Sequence, residues 1–558
     1  MCLHPCEVSS IPEQTARVAN AAFPKGNLYM KMRDAFDTCF KDEEFTDLFP
    51  SRGKPALTPW RLALVTVFQF VEGLSDSQAA EGVRARIDWK YSLSLDLEDT
   101  GFHSSVLCEF RSRLLDGTAE SRLFESLLTQ FKDRGLLKSR GKQRTDSTHV
   151  LSSVRDLNRL ELLGETLRAA LNALAETAPH WLLQQVNPEW FDRYSRRIES
   201  YRFPREEAER KAIALQMGAD GFCLLQSLST GAGDGLLSLR NLAPVETLRR
   251  VWVQQFYQEG TVLHLRGLTE SEAQLPPAAL RIVSPYDRDA RQSVKRETFW
   301  TGYKVHLTET CDDEMPRLVT QVETTPATTA DSEVTATIQA ALVQAQRPPS
   351  EHIVDEGYTQ ASHLITSRSQ YGIELIGPVA RDGSRQAVAN KGFDVAHFRI
   401  DWEARSATCP AGKQSVRWQP TKNARGSQFL LAVFAAADCR ACELRPDCTR
   451  SKSAGRSLYL HPKEEHEALH AARQNQKTPE FRAQYAIRAG IEGTLSHGIR
   501  AFGLRQSRYV GKAKSHLQNL MIATATNFCR VFEWLEQTPL ARTRQSPFAR
   551  LKPIPISV

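Results

Sequence analysis

The 558-residue sequence lacks a long apolar run. Its longest, Leu62 to Val71, is broken by Thr66 and Gln69 and falls short of the ~18 residues a membrane span requires. Met1 to Glu7 carries no basic segment leading into an apolar one, so no signal peptide is expected and the chain reads as cytoplasmic. There is no internal repeat, and the composition is not that of a coiled coil or a fibre. No G-x-x-x-x-G-K-[ST] occurs, and Gly231-Ala-Gly-Asp-Gly235 is not a dinucleotide fingerprint. Nucleotide hydrolysis and hydride transfer are therefore not indicated, and no nucleotide cofactor is expected. Charge of one sign is scarcely in surplus: 72 Lys and Arg against 65 Asp and Glu leave +7, too little alone to name a polyanionic partner.

What is present is ordinary globular usage, 41% hydrophobic and 25% charged, in a chain long enough for three or four units at about 150 residues each. Residues 1–135 read as helical. Pro59 suits a first turn, Leu62 to Phe70 is a buried run, Gly73-Leu74 breaks it, and Ser75-Asp76 caps a second helix from Gln78 to Arg86. The pair resembles a helix-turn-helix, with a plain helical bundle as the alternative. Gln143 to Val150 reads as a strand with Asp146 near its middle, and helical character then runs with gaps to about residue 275. Thr298 to Thr308 alternates as a strand and Leu318 to Thr324 reads as its partner. Asp331 caps a helix, His352 to Asp355 is a short buried strand ending in an acid, and Leu375 to Val379 is another strand. This order describes an α/β core assembled from 140–150, 280–384 and 478–535. A helical insertion occupies 151–279 and a Cys-rich insertion 385–455, while 538–558 is a loose tail rich in Pro, Arg and Ser.

Three acids far apart in sequence stand out. Asp146 lies on the first core strand, Asp355 at the end of a later one, and Glu492 in Tyr485-Ala-Ile-Arg488-Ala-Gly-Ile-Glu492, where spacings of three and four put Tyr485, Arg488 and Glu492 on one helical face. Converging carboxylates can hold two divalent cations, Mg²⁺ or Mn²⁺, across the attacking and leaving oxygens of a phosphoryl displacement. Gly490 and Gly493 each cost a helix about 1 kcal/mol, so either the protein backbone approaches DNA there or the helix is irregular. From Arg482 to Lys514 seven cations (Arg482, Arg488, Arg500, Arg505, Arg508, Lys512, Lys514) face Glu492 alone, a pattern suited to phosphates. Arg291, Lys295, Arg296 and Lys304 lie on or beside the expected hairpin, where phosphate contact and a solvated strand face are equally good readings. His149 has the opposite strand parity to Asp146 and should point away from it, and Glu356 reads as a solvated loop acid.

Eleven cysteines in a reducing compartment argue against disulfides. Cys409, Cys439, Cys442 and Cys448 could hold a structural Zn²⁺, although Cys409 lacks the second Cys of a full ribbon; an iron–sulfur cluster or free thiols are the alternatives. His466-Glu467-Ala-Leu-His470 matches the zinc-peptidase signature, but its helix is polar nearly all round and reads as solvated.

The wording around the three acids carries a resemblance. Arg-Thr-Asp146-Ser-Thr-His-Val, the segment Tyr286 to His306, Val354-Asp355-Glu-Gly-Tyr358, and Gly490-Ile-Glu492 through Arg505 resemble the bacterial insertion-sequence DDE transposases. The resemblance implies an RNase H-like core with Asp146, Asp355 and Glu492 as the metal-binding triad. It also implies cutting at transposon ends, joining of the 3′-OH to target DNA, a homodimer in the synaptic complex, and work at the bacterial nucleoid. Tyr485, Arg488 and Glu492 match the Tyr, Arg, Glu, Lys signature of related transposases, whereas the Lys position is Ile499, with Arg500 beside it. An RNase H-like nuclease that cuts without joining, and a catalytically silent DNA-binding descendant, are the alternative readings.

Overall fold

The computed structural model describes residues 2–230, 234–267, 274–295, 297–423, 426–539, 546–548 and 551. Arg296, Gly231 to Gly233 and most of the 538–558 tail lie outside the described residues.

The N-terminal helices begin and end where the local chemistry requires. Helix α1 (Pro59–Glu72) carries Pro at its first turn and stops at Gly73, whose left-handed φ of 69° a side chain would resist. Ser75 then accepts a hydrogen bond from Gln78 N while Gln78 reaches back, the reciprocal cap that starts α2 (Asp76–Ala85). Eleven of the 14 residues of α1 are buried, so it is a core helix. On the exposed face of α2, Glu81 and Arg84 pair with each other at 3.1 Å.

The central sheet is mixed. Strand β1 (Lys142–Leu151) pairs antiparallel with β3 (Thr298–Thr310), which on its other edge meets first β2 (Arg291–Lys295) and then β4 (Val319–Pro326), both antiparallel. On its far side β1 runs parallel to β5 (Glu351–Ile353), and β5 parallel to β6 (Glu374–Ile376). Helix α3 (Asp331–Gln344) connects β4 to β5. This mixed sheet with its crossover helix is an RNase H-like core. At Gly302 φ is +149°, and a Cβ there would sit 2.1 Å from Val150 O, so glycine is required where β3 passes from β2 to β1 and β4.

Helix α7 (Lys512–Leu535) buries 14 of its 24 residues between the sheet and α1. Asn527 clamps it to β4, accepting from Val319 N at 2.7 Å and donating to Val319 O at 2.8 Å. One hydrophobic cluster therefore runs from Tyr29 through α1, the sheet and α7 to Val531.

Two insertions have cores of their own. Residues 159–265 form a helical unit around Leu163, Leu167, Leu224 and Trp252. It ends in a hairpin, Phe256–Glu259 with Val262–Leu265, that helical periodicity did not disclose. The Cys-rich unit holds a three-stranded sheet, Ser415–Lys422, Gln428–Phe434 and Ser457–Leu460, packed on Phe398 and Ala407. Its last strand lies beyond 455, because Leu458 and Leu460 complete an apolar face that the cysteines alone do not mark.

Candidate active site

Asp146 stands mid-strand on β1, opposite Leu307. Its Oδ1 accepts from Ser147 N at 2.8 Å, its side chain is only 13% exposed, and burial raises its carboxyl above the usual range against the opposing pull of Arg488. Asp355 lies two residues past the end of β5 rather than on it. There it caps a short 3₁₀ turn, Oδ1 accepting from Gly357 N at 2.9 Å, which fixes its orientation in an otherwise open loop.

Glu492 arrives on a broken helix. Helix α5 (Pro479–Ala486) passes through a 3₁₀ turn, Ile487–Ala489, into α6 (Gly490–Phe502). Tyr485, Arg488 and Glu492 still share a side despite the break. Arg488 is the meeting point: its guanidinium lies 2.7 Å from Asp146 Oδ2, 3.1 Å from Glu492 Oε1 and 3.8 Å from Asp355 Oδ2. Tyr485 stacks on Phe481 with ring centroids 5.8 Å apart, and burial raises its phenol.

The two glycines beside Glu492 have different reasons. A Cβ on Gly490 would sit 2.1 Å from Arg144 Nη1, so this glycine makes room for a buried guanidinium. A Cβ on Gly493 would meet nothing within 4 Å, so that face is open.

Arg144 belongs to a brace that sequence reasoning missed. It pairs with Glu309 at 2.6 Å in the interior and donates to Ile487 O at 2.5 Å. Arg530 and Thr494 also donate to Glu309, at 2.8 and 2.5 Å. β1, β3, α6 and α7 are tied at one carboxylate. The available signal was an Arg and a Glu on two strands expected to be buried. Asp331 was also missed as a neighbour: it lies 3.4 Å from Ser147 Oγ and pairs with Lys304 at 3.1 Å. Lys304 is thereby engaged within the fold. His149 packs on Trp300, ring centroids 5.5 Å apart, and Glu356 is exposed.

The basic stretch divides. Arg482, Arg500, Lys512 and Lys514 are exposed and make no ion pair among the described residues. Arg505 donates to Thr148 Oγ1 at 2.9 Å. Arg508, expected among the phosphate contacts, donates to Leu74 O and Gly73 O at 3.0 and 3.2 Å and lies over Phe70. Beside Glu356 and Tyr485 opens a cavity of about 990 Å³, lined among others by Tyr459, His466, His470, Arg473 and Lys477. Helix α4 (Lys463–Asn475), which carries the two histidines of the peptidase-like motif, buries no residue fully, and His466 packs on Trp402.

Cys409, Cys439, Cys442 and Cys448 surround one cavity of about 40 Å³. Cys409 Sγ accepts from Lys413 N at 3.3 Å and Cys439 Sγ from Arg456 N at 3.4 Å. Among the described residues, no group of three or more His, Cys, Asp or Glu is gathered closely enough to hold a metal ion. The three acids nevertheless offer only oxygen donors around a positive charge, a donor set that fits a hard divalent cation.

Fold and site together define an RNase H-like core in which a strand, a loop and a helix each bring one carboxylate to Arg488. Residues 408–532 match the model of the Transposase DDE domain, and residues 17–113 match that of the Transposase domain (DUF772). These two matches support a resemblance to the insertion-sequence DDE transposases. Glu492 falls inside the first match; Asp146 and Asp355 lie outside both. No curated protein and no solved structure matches the chain. Among the described residues no helix is long and apolar enough to cross a membrane.

Proposed function

We propose that the protein cuts DNA at the ends of its insertion sequence and joins the exposed 3′-OH to target DNA, acting as a homodimer at the bacterial nucleoid. The observation that carries this reading is the approach of Asp146, Asp355 and Glu492, from a strand, a loop and a helix, to one guanidinium. These carboxylates would hold Mg²⁺ or Mn²⁺, two per site, supplying charge neutralisation at the attacking and leaving oxygens. Around them the chain positions DNA. Arg500, Lys512 and Lys514 offer exposed charge to phosphates, the open side of Gly493 lets backbone come close, and Tyr485 lines the large cavity. Water attack frees the 3′-OH; that hydroxyl then displaces a target 3′-oxygen, one phosphodiester replacing another, so no nucleotide cofactor is needed.

The regions 1–135, 151–279 and 385–455 serve as DNA-binding or dimerising, helical-insertion and Cys-rich units around the core. In the last, Cys409, Cys439, Cys442 and Cys448 line one cavity and would have to draw closer together to hold a structural Zn²⁺. Elemental analysis showing zinc in the wild type and none in Cys439→Ser is the expected result.

The test of function is a strand-transfer assay on duplexes carrying the DNA that flanks the coding sequence. Asp146→Asn, Asp355→Asn and Glu492→Gln should each abolish cutting and joining while leaving DNA binding within a few-fold of wild type. Cutting without joining by the wild type would make it a nuclease.

A further inference from the structure

We propose that Arg488 is a charge lock on this site: in the DNA-free protein its guanidinium holds the carboxylates that a divalent cation needs, and it gives them up when DNA phosphate draws it away. The proposal rests on the functional reading above and adds its regulation.

The geometry is specific. One side chain engages acids from three separate elements, at 2.7, 3.1 and 3.8 Å. Asp146 Oδ1 accepts from Ser147 N and Oδ2 lies under Arg488, so both oxygens already have a donor. Arg488 and a cation at Asp146 therefore compete for one carboxylate. The site is otherwise approachable, since Glu492 is 65% exposed and Asp355 35%.

Two features let the lock open. Arg488 Nε is buried without a hydrogen-bond partner, so the guanidinium is incompletely satisfied where it lies, and a phosphate reached by its planar fork would satisfy more of its donors. Arg488 also sits in the 3₁₀ turn between α5 and α6, and a 3₁₀ stretch between two helices often marks a hinge. Exposed Arg482 and Arg500 on either side bring phosphates to the place where Arg488 would find one. Metal loading is then coupled to DNA binding, and by linkage each ligand must tighten the other by the same factor.

Mn²⁺ binding to the full-length protein, followed by the electron paramagnetic resonance of free Mn²⁺, tests this without reference to turnover. Without DNA, Arg488→Gln should bind Mn²⁺ about tenfold more tightly than wild type, within the usual range of such couplings, and Arg488→Lys should bind it as weakly as wild type. Adding a duplex that flanks the coding sequence should tighten Mn²⁺ binding in the wild type and leave Arg488→Gln unchanged, which also corrects for Mn²⁺ held by the duplex itself. Equal Mn²⁺ affinities of DNA-free wild type and Arg488→Gln overturn the proposal, as does a DNA effect of the same size in both. If Arg488→Gln does not fold, a wild-type Mn²⁺ affinity that DNA leaves unchanged overturns it. A wild type that cuts and joins but fails these tests loses only the lock; one that passes them yet never cuts loses the functional reading.

Discussion

Arg144 and Glu309 are register partners on β1 and β3, 2% and 0% exposed, and their pairing costs two desolvations that only complete bonding offsets. Glu309 therefore collects Arg530 and Thr494 as well, and Arg144 reaches on to Ile487 O beneath the broken helix. The consequence at Gly490 is direct. An alanine there gains helix propensity of about 1 kcal/mol but drives its methyl into Arg144, so Gly490→Ala should be destabilising overall. Gly493→Ala meets open space and should stabilise by about 1 kcal/mol. Urea unfolding of both variants checks the opposite signs; Gly493→Ala should still weaken DNA binding if backbone approaches there.

At the scale of elements, the strands and helices of strongest pattern were legible: the alternation of Thr298 to Thr308, the cap at Ser75, the pairing of Pro59 with Gly73. The face shared by Tyr485, Arg488 and Glu492 was legible too, since a single 3₁₀ turn shifts it little. Spacing discloses a face and not a partner, so Arg488 could not be read as the centre of the acids, nor Arg508 as a link to α1. That link separates the basic residues by expected behaviour. Each phosphate neutralised adds about 0.9 to the slope of log K against log salt on duplex DNA. Lys512→Ala with Lys514→Ala should flatten the slope by up to about two units if each meets one phosphate, with little change in stability. Arg508→Ala should instead lower stability, losing two hydrogen bonds to the end of α1 and the contact with Phe70, and leave the slope unchanged. A slope flattened by Arg508→Ala would return it to the DNA contacts.

For the whole molecule, the hydrophobic clusters say which parts stand or fall together. The N-terminal helices share one cluster with the sheet and α7, Phe68 and Phe528 lying with ring centroids 5.9 Å apart, whereas the helical insertion and the Cys-rich unit each close a separate one. Lys31 and Glu536, near the two ends of the chain, meet at 2.6 Å across the same boundary. A region that sequence order suggests as an appendage is therefore structurally part of the core, because α1 is buried along most of its length and α7 supplies part of the surface it needs. Phe68→Ala should cost about 3 to 5 kcal/mol through the cavity it leaves. The loss should appear as equal drops in amide-exchange protection over Leu62 to Phe70 and Leu517 to Val531, with Leu163 to Leu228 of the insertion unchanged. A drop confined to the N-terminal helices would show instead that they fold as an independent unit docked on the core.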